Sequence, residues 1–355
     1  MELTSTSFLA TLIVVAALAV LGALLLWNRV PGPGWVRWPA RLAMIALCQL
    51  TAICAVATWI NGSYGLYSSW EDLLGTGTGQ NASAMTGPPP GRATFTLGGD
   101  GTRSTYFRGS RSKLAGQVIV WTPPEYDAPG ADRTRFPVLM LLHGYPGSPR
   151  SWIDVGGMPG ALEQLVRLGA ASPFILVMPE LYPGGVNTDC TDTPRRKLAD
   201  WLARDVPELV AKKFRTLAGP GGWGLMGIST GAFCAAKLPL QYPRVFRAGA
   251  ALDPDPLTGD PDVLTDPVLR ERNSPMWLVA HTKKADVGLF LATSAQDKDS
   301  PVKQLAAFAK AAEGSGVRVK TLVRPEGGHN FQTWTGMYPD ALGWLSTEIS
   351  PPRGP

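Results

Sequence analysis

The sequence predicts an α/β domain built on a mainly parallel sheet, preceded by two membrane-spanning helices. Three observations carry this. Apolar residues are concentrated in residues 1–60 of a 355-residue chain that is 45% hydrophobic and only 17% charged. From about residue 92, short β-rich runs alternate with longer helical patterns, the signature of a sheet covered on both faces. Two of those runs, PVLMLLH at Pro137–His143 and FILVMP at Phe174–Pro179, are continuously apolar, as strands buried on both faces must be.

The N-terminal region comes first. Phe8–Trp27 is uncharged over twenty residues, long enough at about 1.5 Å per residue to cross a hydrocarbon core about 30 Å thick. Leu42–Ile60 is similar, so residues 1–60 are read as an anchor with spans at 8–27 and 42–60. Asn28–Arg41 reads as a tight Pro/Gly-rich hairpin loop. It holds Arg29, Arg37 and Arg41, with Trp27, Trp35 and Trp38 suited to the interface. Arginine excess in a short loop marks the cytoplasmic side, which puts everything after Ile60 outside the cell membrane. A cleaved secretory signal would need a positive start, and Met1–Ser7 holds no Lys or Arg. A single span or a re-entrant hairpin is the alternative. Residues 61–91 form a juxtamembrane segment and a Gly/Thr/Pro linker, and residues 92–350 the folded domain.

The net charge of +5 falls to +3 after residue 60, which gives no nucleic-acid footprint. Of four cysteines, Cys48 and Cys54 lie in an apolar run and Cys190 and Cys234 in the folded domain. No CxxC or Cys/His cluster suggests a metal, and no cofactor is called for.

Within the domain, Ala93–Leu97 and Gln117–Thr122 are expected as antiparallel edge strands, Gly160–Leu168 as a covering helix and Lys197–Phe214 as the clearest helix. Gly222–Ile228 then leads through Gly227-Ile228-Ser229-Thr230-Gly231 into the helix-compatible Ala232–Leu240. A nucleophile on a sharp strand-to-helix turn needs small residues two positions before and after it, and the two glycines meet that need. The turn aims a helix N-terminus at the site, where amides can stabilise a developing oxyanion. Ser229 is the candidate nucleophile, in an α/β-hydrolase fold.

Serine needs a base, and only His143, His281 and His329 are available. In this fold the order is Ser, acid, His, and Gly327-Gly328-His329 follows the last strand candidate, Val317–Val323, so His329 is the base. His143 opens an HG-type loop that it is expected to brace, and His281 reads as a surface or pocket-wall residue. The acid should follow the penultimate strand, Val287–Thr293, where a carboxylate can fix the imidazole tautomer. Asp297 is preferred; Asp299 could exchange roles with it, Asp253 after Ala248–Leu252 is a lesser candidate, and any of them could simply cap a loop.

Together LLHGYPG at 141–147, DWLARDVPELV at 200–210, GISTGAFCA at 227–235, SAQD at 294–297 and GGHNFQTW at 327–334 resemble the esterase family that includes esterase D, feruloyl esterases and the actinobacterial mycolyltransferases. The resemblance spans about residues 92–348. It implies a triad of Ser229, Asp297 and His329, oxyanion amides from Tyr145 and Thr230, and a Cys190–Cys234 disulfide. The chain is accordingly expected to be a membrane-anchored, extracytoplasmic serine esterase working through an acyl-enzyme, with an ester substrate in an envelope lipid or glycan. Acyl transfer from the same intermediate and a non-catalytic envelope-binding scaffold are the alternatives.

Overall fold

The computed structural model describes residues 6–64, 70, 93–283 and 285–354. The chain divides into two compact units, Met1–Thr76 and Gly77–Pro355. The linker expected at residues 75–91 lies outside the described residues.

In the first unit, helix α1 spans Thr6–Leu26 and helix α2 spans Gly34–Tyr64. Both are long and apolar enough to cross a membrane, over Ser7–Leu26 and Gly34–Asn61. The loop expected at Asn28–Arg41 is shorter than the charge pattern suggested, because α2 already begins at Gly34 and carries Arg37 and Arg41 in its first turns. Arginine is a good helix former, so charge marks where a helix leaves hydrocarbon and not where it ends. Arg41 reaches back to donate to the Trp27 carbonyl at 3.2 Å, closing the connection.

Among the described residues, the second unit holds a nine-stranded sheet: β1 (Thr96–Leu97), β2 (Arg103–Arg108), β3 (Ala115–Trp121), β4 (Val138–Leu142), β5 (Ile175–Pro179), β6 (Trp223–Ile228), β7 (Ala248–Leu252), β8 (Gly288–Ser294) and β9 (Arg318–Arg324). The order is β1-β2-β3-β5-β4-β6-β7-β8-β9, antiparallel through β3 and β5 and parallel from β5 onward. The strand β2 was not expected, since RSTYFR has no apolar run to announce it. It displaces β3 from the edge, where β3 pairs antiparallel with both β2 and β5.

The apolar runs work by alternation. Val138, Met140 and Leu142 enter the core on one face of the sheet, and Leu139 and Leu141 the core on the other. Successive side chains of a strand point to opposite faces, so a strand covered on both sides is apolar throughout. The first face is covered by Trp201, Leu202, Val206 and Val210 and by Phe233 of the helix Thr230–Gln241. The second is covered by Leu162 and by Trp334, Met337, Tyr338 and Leu342 of the helix Phe331–Glu348. The helix expected at Lys197–Phe214 is interrupted by one π turn, Trp201–Asp205, before Val206–Lys213. Pro207 has no N–H for an ordinary bond to Ala203, and the Val206 amide instead donates to the Trp201 carbonyl. Strands β4 and β6 to β9 are parallel, so their C-terminal ends share one rim, where open α/β sheets place their sites.

Candidate active site

Ser229 stands between β6 and the helix Thr230–Gln241 with φ 55° and ψ −124°. A positive φ is costly for a side-chain residue and persists only where surroundings over-determine it. Here the flanking glycines do so: a Cβ on Gly227 would lie 2.0 Å from the Gly231 carbonyl oxygen, and one on Gly231 would lie 2.0 Å from that of Leu142. The turn is thus closed too tightly for any side chain at either position, and Ser229 Oγ is held out at the rim.

Its partners come from the ends of β8 and β9. Ser294 donates to the Gly327 carbonyl at 2.9 Å and accepts from the Asp297 amide at 3.1 Å, tying together the loops that follow the two strands. His329 then bridges the site, with Nε2 2.8 Å from Ser229 Oγ and Nδ1 2.8 Å from Asp297 Oδ2. The other carboxylate oxygen of Asp297 accepts from the amides of Asp299 at 2.8 Å and Ser300 at 3.0 Å. Burial opposes the charge on Asp297, but the His329 contact and these two amides outweigh it and hold the carboxyl below its ordinary value. Burial likewise opposes the imidazolium, and the Asp297 hydrogen bond and charge, aided by Asp253 and Asp255, hold His329 above the usual histidine range.

Of the other acid candidates, Asp299 is exposed and offers the site only its amide. Asp253 is fully buried at the end of β7. Its Oδ2 accepts from Trp334 Nε1 at 2.7 Å, and the Trp334 ring packs edge-on to His329 with centroids 5.3 Å apart. The nearby Thr293 hydroxyl donates to the Ser300 carbonyl at 2.6 Å, and Asp253 Oδ1 has no hydrogen-bond partner among the described residues. Burial and the Asp297 charge raise the Asp253 carboxyl above the carboxylate range. Asp253, Asp297 and His329 offer ligand atoms within 4.8 Å of one another. Both nitrogens of His329 and both oxygens of Asp297 are already engaged by protein groups, so the cluster is no open metal cage.

The remaining histidines stand apart. His143 is buried, its Nδ1 2.8 Å from the Gly144 carbonyl and its Nε2 accepting from the Leu181 amide at 3.0 Å. Burial lowers it to about 4, so it is a neutral brace for the loop after β4. His281 is exposed and stacks on Trp277 with centroids 4.0 Å apart. That braced loop runs beside the nucleophile: a Cβ on Gly144 would lie 3.2 Å from Ser229 Cβ. The backbone N–H groups of Tyr145 and Thr230 have no hydrogen-bond partner among the described residues.

Cys190 and Cys234 form a disulfide, with Cα atoms 5.7 Å apart. It fastens the loop at Asp189–Thr191 to the helix behind Ser229. The buried Lys237 ammonium adds bonds to the carbonyls of Asp189 at 2.8 Å and Cys190 at 3.1 Å and to Thr191 Oγ1 at 2.5 Å.

One site residue escaped the sequence reading. Asp255 lies two positions beyond Asp253, with Oδ2 2.5 Å from Thr230 Oγ1 and Oδ1 3.2 Å from Ser229 Oγ. Its only signal was Asp253-Pro254-Asp255 at the C-terminal end of a parallel strand, on the functional rim.

A family model described as putative esterase matches residues 113–345. An uncharacterized protein of Corynebacterium glutamicum is 26% identical over 251 residues, covering 65% of this chain; the chain spans 57% of that curated relative. Among solved structures, a ferulic acid esterase is similar with a TM-score of 0.60 and 21% identity, over 70% of this chain and 98% of its own. An S-formylglutathione hydrolase from Agrobacterium tumefaciens gives 0.57 and 16%, over 73% and 99%. A fluorophosphonate-binding serine hydrolase of Staphylococcus aureus gives 0.53 and 14%, over 73% and 99%. At these identities the likeness is one of fold, the α/β hydrolase.

Proposed function

This chain belongs to the putative esterase family, and from that premise we propose that it is a serine hydrolase of carboxylic esters, with Ser229 as nucleophile, His329 as base and Asp297 as the acid that orients it. The observation that carries this reading is the unbroken chain from Ser229 Oγ through His329 to Asp297, with both contacts at 2.8 Å. With the proton on Nδ1 facing the carboxylate, Nε2 is free to take the serine proton as Oγ attacks the ester carbonyl. The imidazolium formed is stabilised by Asp297 and returns its proton to the leaving alcohol. Water then repeats the sequence on the acyl-serine. The Tyr145 and Thr230 amides are the candidate oxyanion donors, supported by the closeness of Gly144 to Ser229 and by the position of Thr230 at a helix N-terminus. Apart from the ester and the attacking water, the groups these steps use belong to the chain itself.

The two apolar helices support a membrane anchor, and Arg29, Arg37 and Arg41 around the short connection support an extracytoplasmic domain. A tethered esterase meets substrates in or near the bilayer, and the proposed substrate is therefore an acylated or aminoacylated lipid or glycan of the envelope. Transfer of the acyl group to a sugar or lipid hydroxyl would use the same intermediate with a different acceptor.

The test is labelling of the full-length protein by a fluorescent fluorophosphonate. Wild type should label and Ser229→Ala should not; equal labelling of both would overturn the assignment of the nucleophile. Externally added protease should reach residues after Ile60 in cells whose outer surface has been opened. Protection of the domain would reverse the orientation.

A further inference from the structure

Asp255 is a carboxyl group in contact with the nucleophile, and beyond the support its charge gives the His329 imidazolium the triad assigns it no hydrogen-bonding task. Ser229 has one proton, which the 2.8 Å contact with His329 Nε2 claims. Ser229 Oγ also lies within donating distance of Asp255 Oδ1, at 3.2 Å, so while its proton is directed at His329 this carboxylate oxygen receives none from it, and Thr230 donates to Oδ2 at 2.5 Å. No Lys or Arg among the described residues forms an ion pair with Asp255. The only fully buried lysine among them, Lys237, is committed to the loop at Asp189–Thr191. Burial raises the Asp255 carboxyl above its ordinary value and the Asp260 charge adds to the rise, against the hydrogen bonds from Thr230 and Ser229 and the His329 charge, so a cation brought to this carboxylate would find it short of positive partners.

For an ordinary ester this arrangement is a handicap. A carboxylate on the Thr230 hydroxyl and 3.2 Å from Ser229 Oγ opposes the negative charge that develops on the carbonyl oxygen, in the place where charge stabilisation matters most. The handicap becomes an asset if the acyl group brings a positive charge to the same spot. An acyl carbon poised for attack lies about 3 Å from Oγ, and a nitrogen on its α-carbon lies only about 2.5 Å beyond that carbon by ordinary bond geometry. An α-ammonium thus falls within reach of a carboxylate 3.2 Å from Oγ, whereas an ammonium at the end of a long side chain would overshoot it.

Building on the esterase reading, we propose that Asp255 selects esters whose acyl group carries an α-ammonium, so that the substrate class is aminoacyl esters. The chemistry is unchanged. The Oγ–acyl bond forms as the bond to the alcohol oxygen breaks, with the serine proton passing through His329 to the alcohol. Water then cleaves the aminoacyl-serine to release the free amino acid.

The test compares 2-naphthyl esters of alanine and of isobutyric acid, which differ only by a methyl group in place of the ammonium, on the full-length protein in detergent. Wild type should favour the alanyl ester by at least about tenfold in kcat/KM, the scale of one desolvated charge-assisted hydrogen bond. The N-acetylalanyl ester should lose that advantage. Asp255→Asn should invert the preference, lowering the alanyl rate by about tenfold or more and raising the isobutyryl rate as the charge opposing the oxyanion disappears. If wild type turns over the isobutyryl ester as well as the alanyl one, or if Asp255→Asn lowers both equally, the proposal is overturned while the esterase reading stands. Should neither ester be hydrolysed, or should Ser229→Ala hydrolyse both like wild type, the esterase reading itself fails. Because the wild-type comparison needs no variant, a folding defect in Asp255→Asn leaves the proposal exposed to refutation.

Discussion

Replacing Asp297 by asparagine isolates the contribution of one charge while sparing the loop that carries it. The asparagine carbonyl can keep the amide bonds that Oδ1 now receives from Asp299 at 2.8 Å and Ser300 at 3.0 Å. Its amide nitrogen, however, then faces His329 Nδ1 at the 2.8 Å where Oδ2 stood. Two donors cannot share that contact, so the imidazole proton moves to Nε2. There it confronts the Ser229 hydroxyl, also at 2.8 Å, and the base is lost. By analogy with a serine triad in which this change was made, kcat should fall on the order of 10⁴-fold, about 5 kcal/mol of transition-state stabilisation. The assay is turnover of a short-chain aryl ester by purified full-length protein, with circular dichroism and thermal melting to show that the fold persists. Asp299→Asn should change the rate little, since that side chain is exposed. Asp253→Asn should cost less than Asp297→Asn, because Asp253 makes no hydrogen bond to His329 and acts on it only through its charge and through the Trp334 ring. If Asp297→Asn keeps more than a tenth of wild-type turnover while Asp253→Asn or Asp299→Asn cripples the enzyme, the assignment of the acid is refuted.

Further outcomes are expected. The acid limb of the kcat/KM profile should lie above the ordinary histidine value of about 6.5, because a base at His329, as proposed, must be neutral to act and its pKa is raised; Asp297→Asn should move that limb down, and an unmoved limb would detach it from the pair. His143 affects stability in the opposite direction from His329. The unfolded chain takes up its proton near pH 6.5 while the folded one resists to about 4, so stability is lost as pH falls through that window, by about 3 kcal/mol in all. Denaturant titrations at pH 7 and 4.5 should show a smaller acid loss in His143→Gln than in wild type. Removing the disulfide by Cys190→Ala with Cys234→Ala should cost roughly 4 kcal/mol in the chain-entropy account for a loop of 44 residues. A midpoint indistinguishable from wild type would mean that Lys237 and its three bonds hold the loop unaided.

Sequence by itself determined what depends on local pattern and chain order. The runs at Val138–Leu142, Ile175–Pro179 and Ala248–Leu252 are legible because a strand buried on both faces must be apolar at every position. The elbow is legible because two glycines around Ser229 are a steric necessity of the turn, and His329 because it follows the last strand. Local pattern also misled where composition and geometry part company. Arg37 and Arg41 suggested a loop but lie in a helix, and β2 pairs through its backbone with side chains too polar to betray it. Only the tertiary structure separates the carboxylates by their surroundings. Asp253, Asp297 and Asp299 look alike along the chain; what separates them is that one meets Trp334, one meets His329 and one meets solvent. Asp255 was invisible for the same reason. Its closeness to Ser229 comes from the parallel pairing of β6 with β7, which sets residues 26 apart in sequence side by side at one rim. Charge and protonation at that rim are set by burial and neighbours that no single stretch of chain contains.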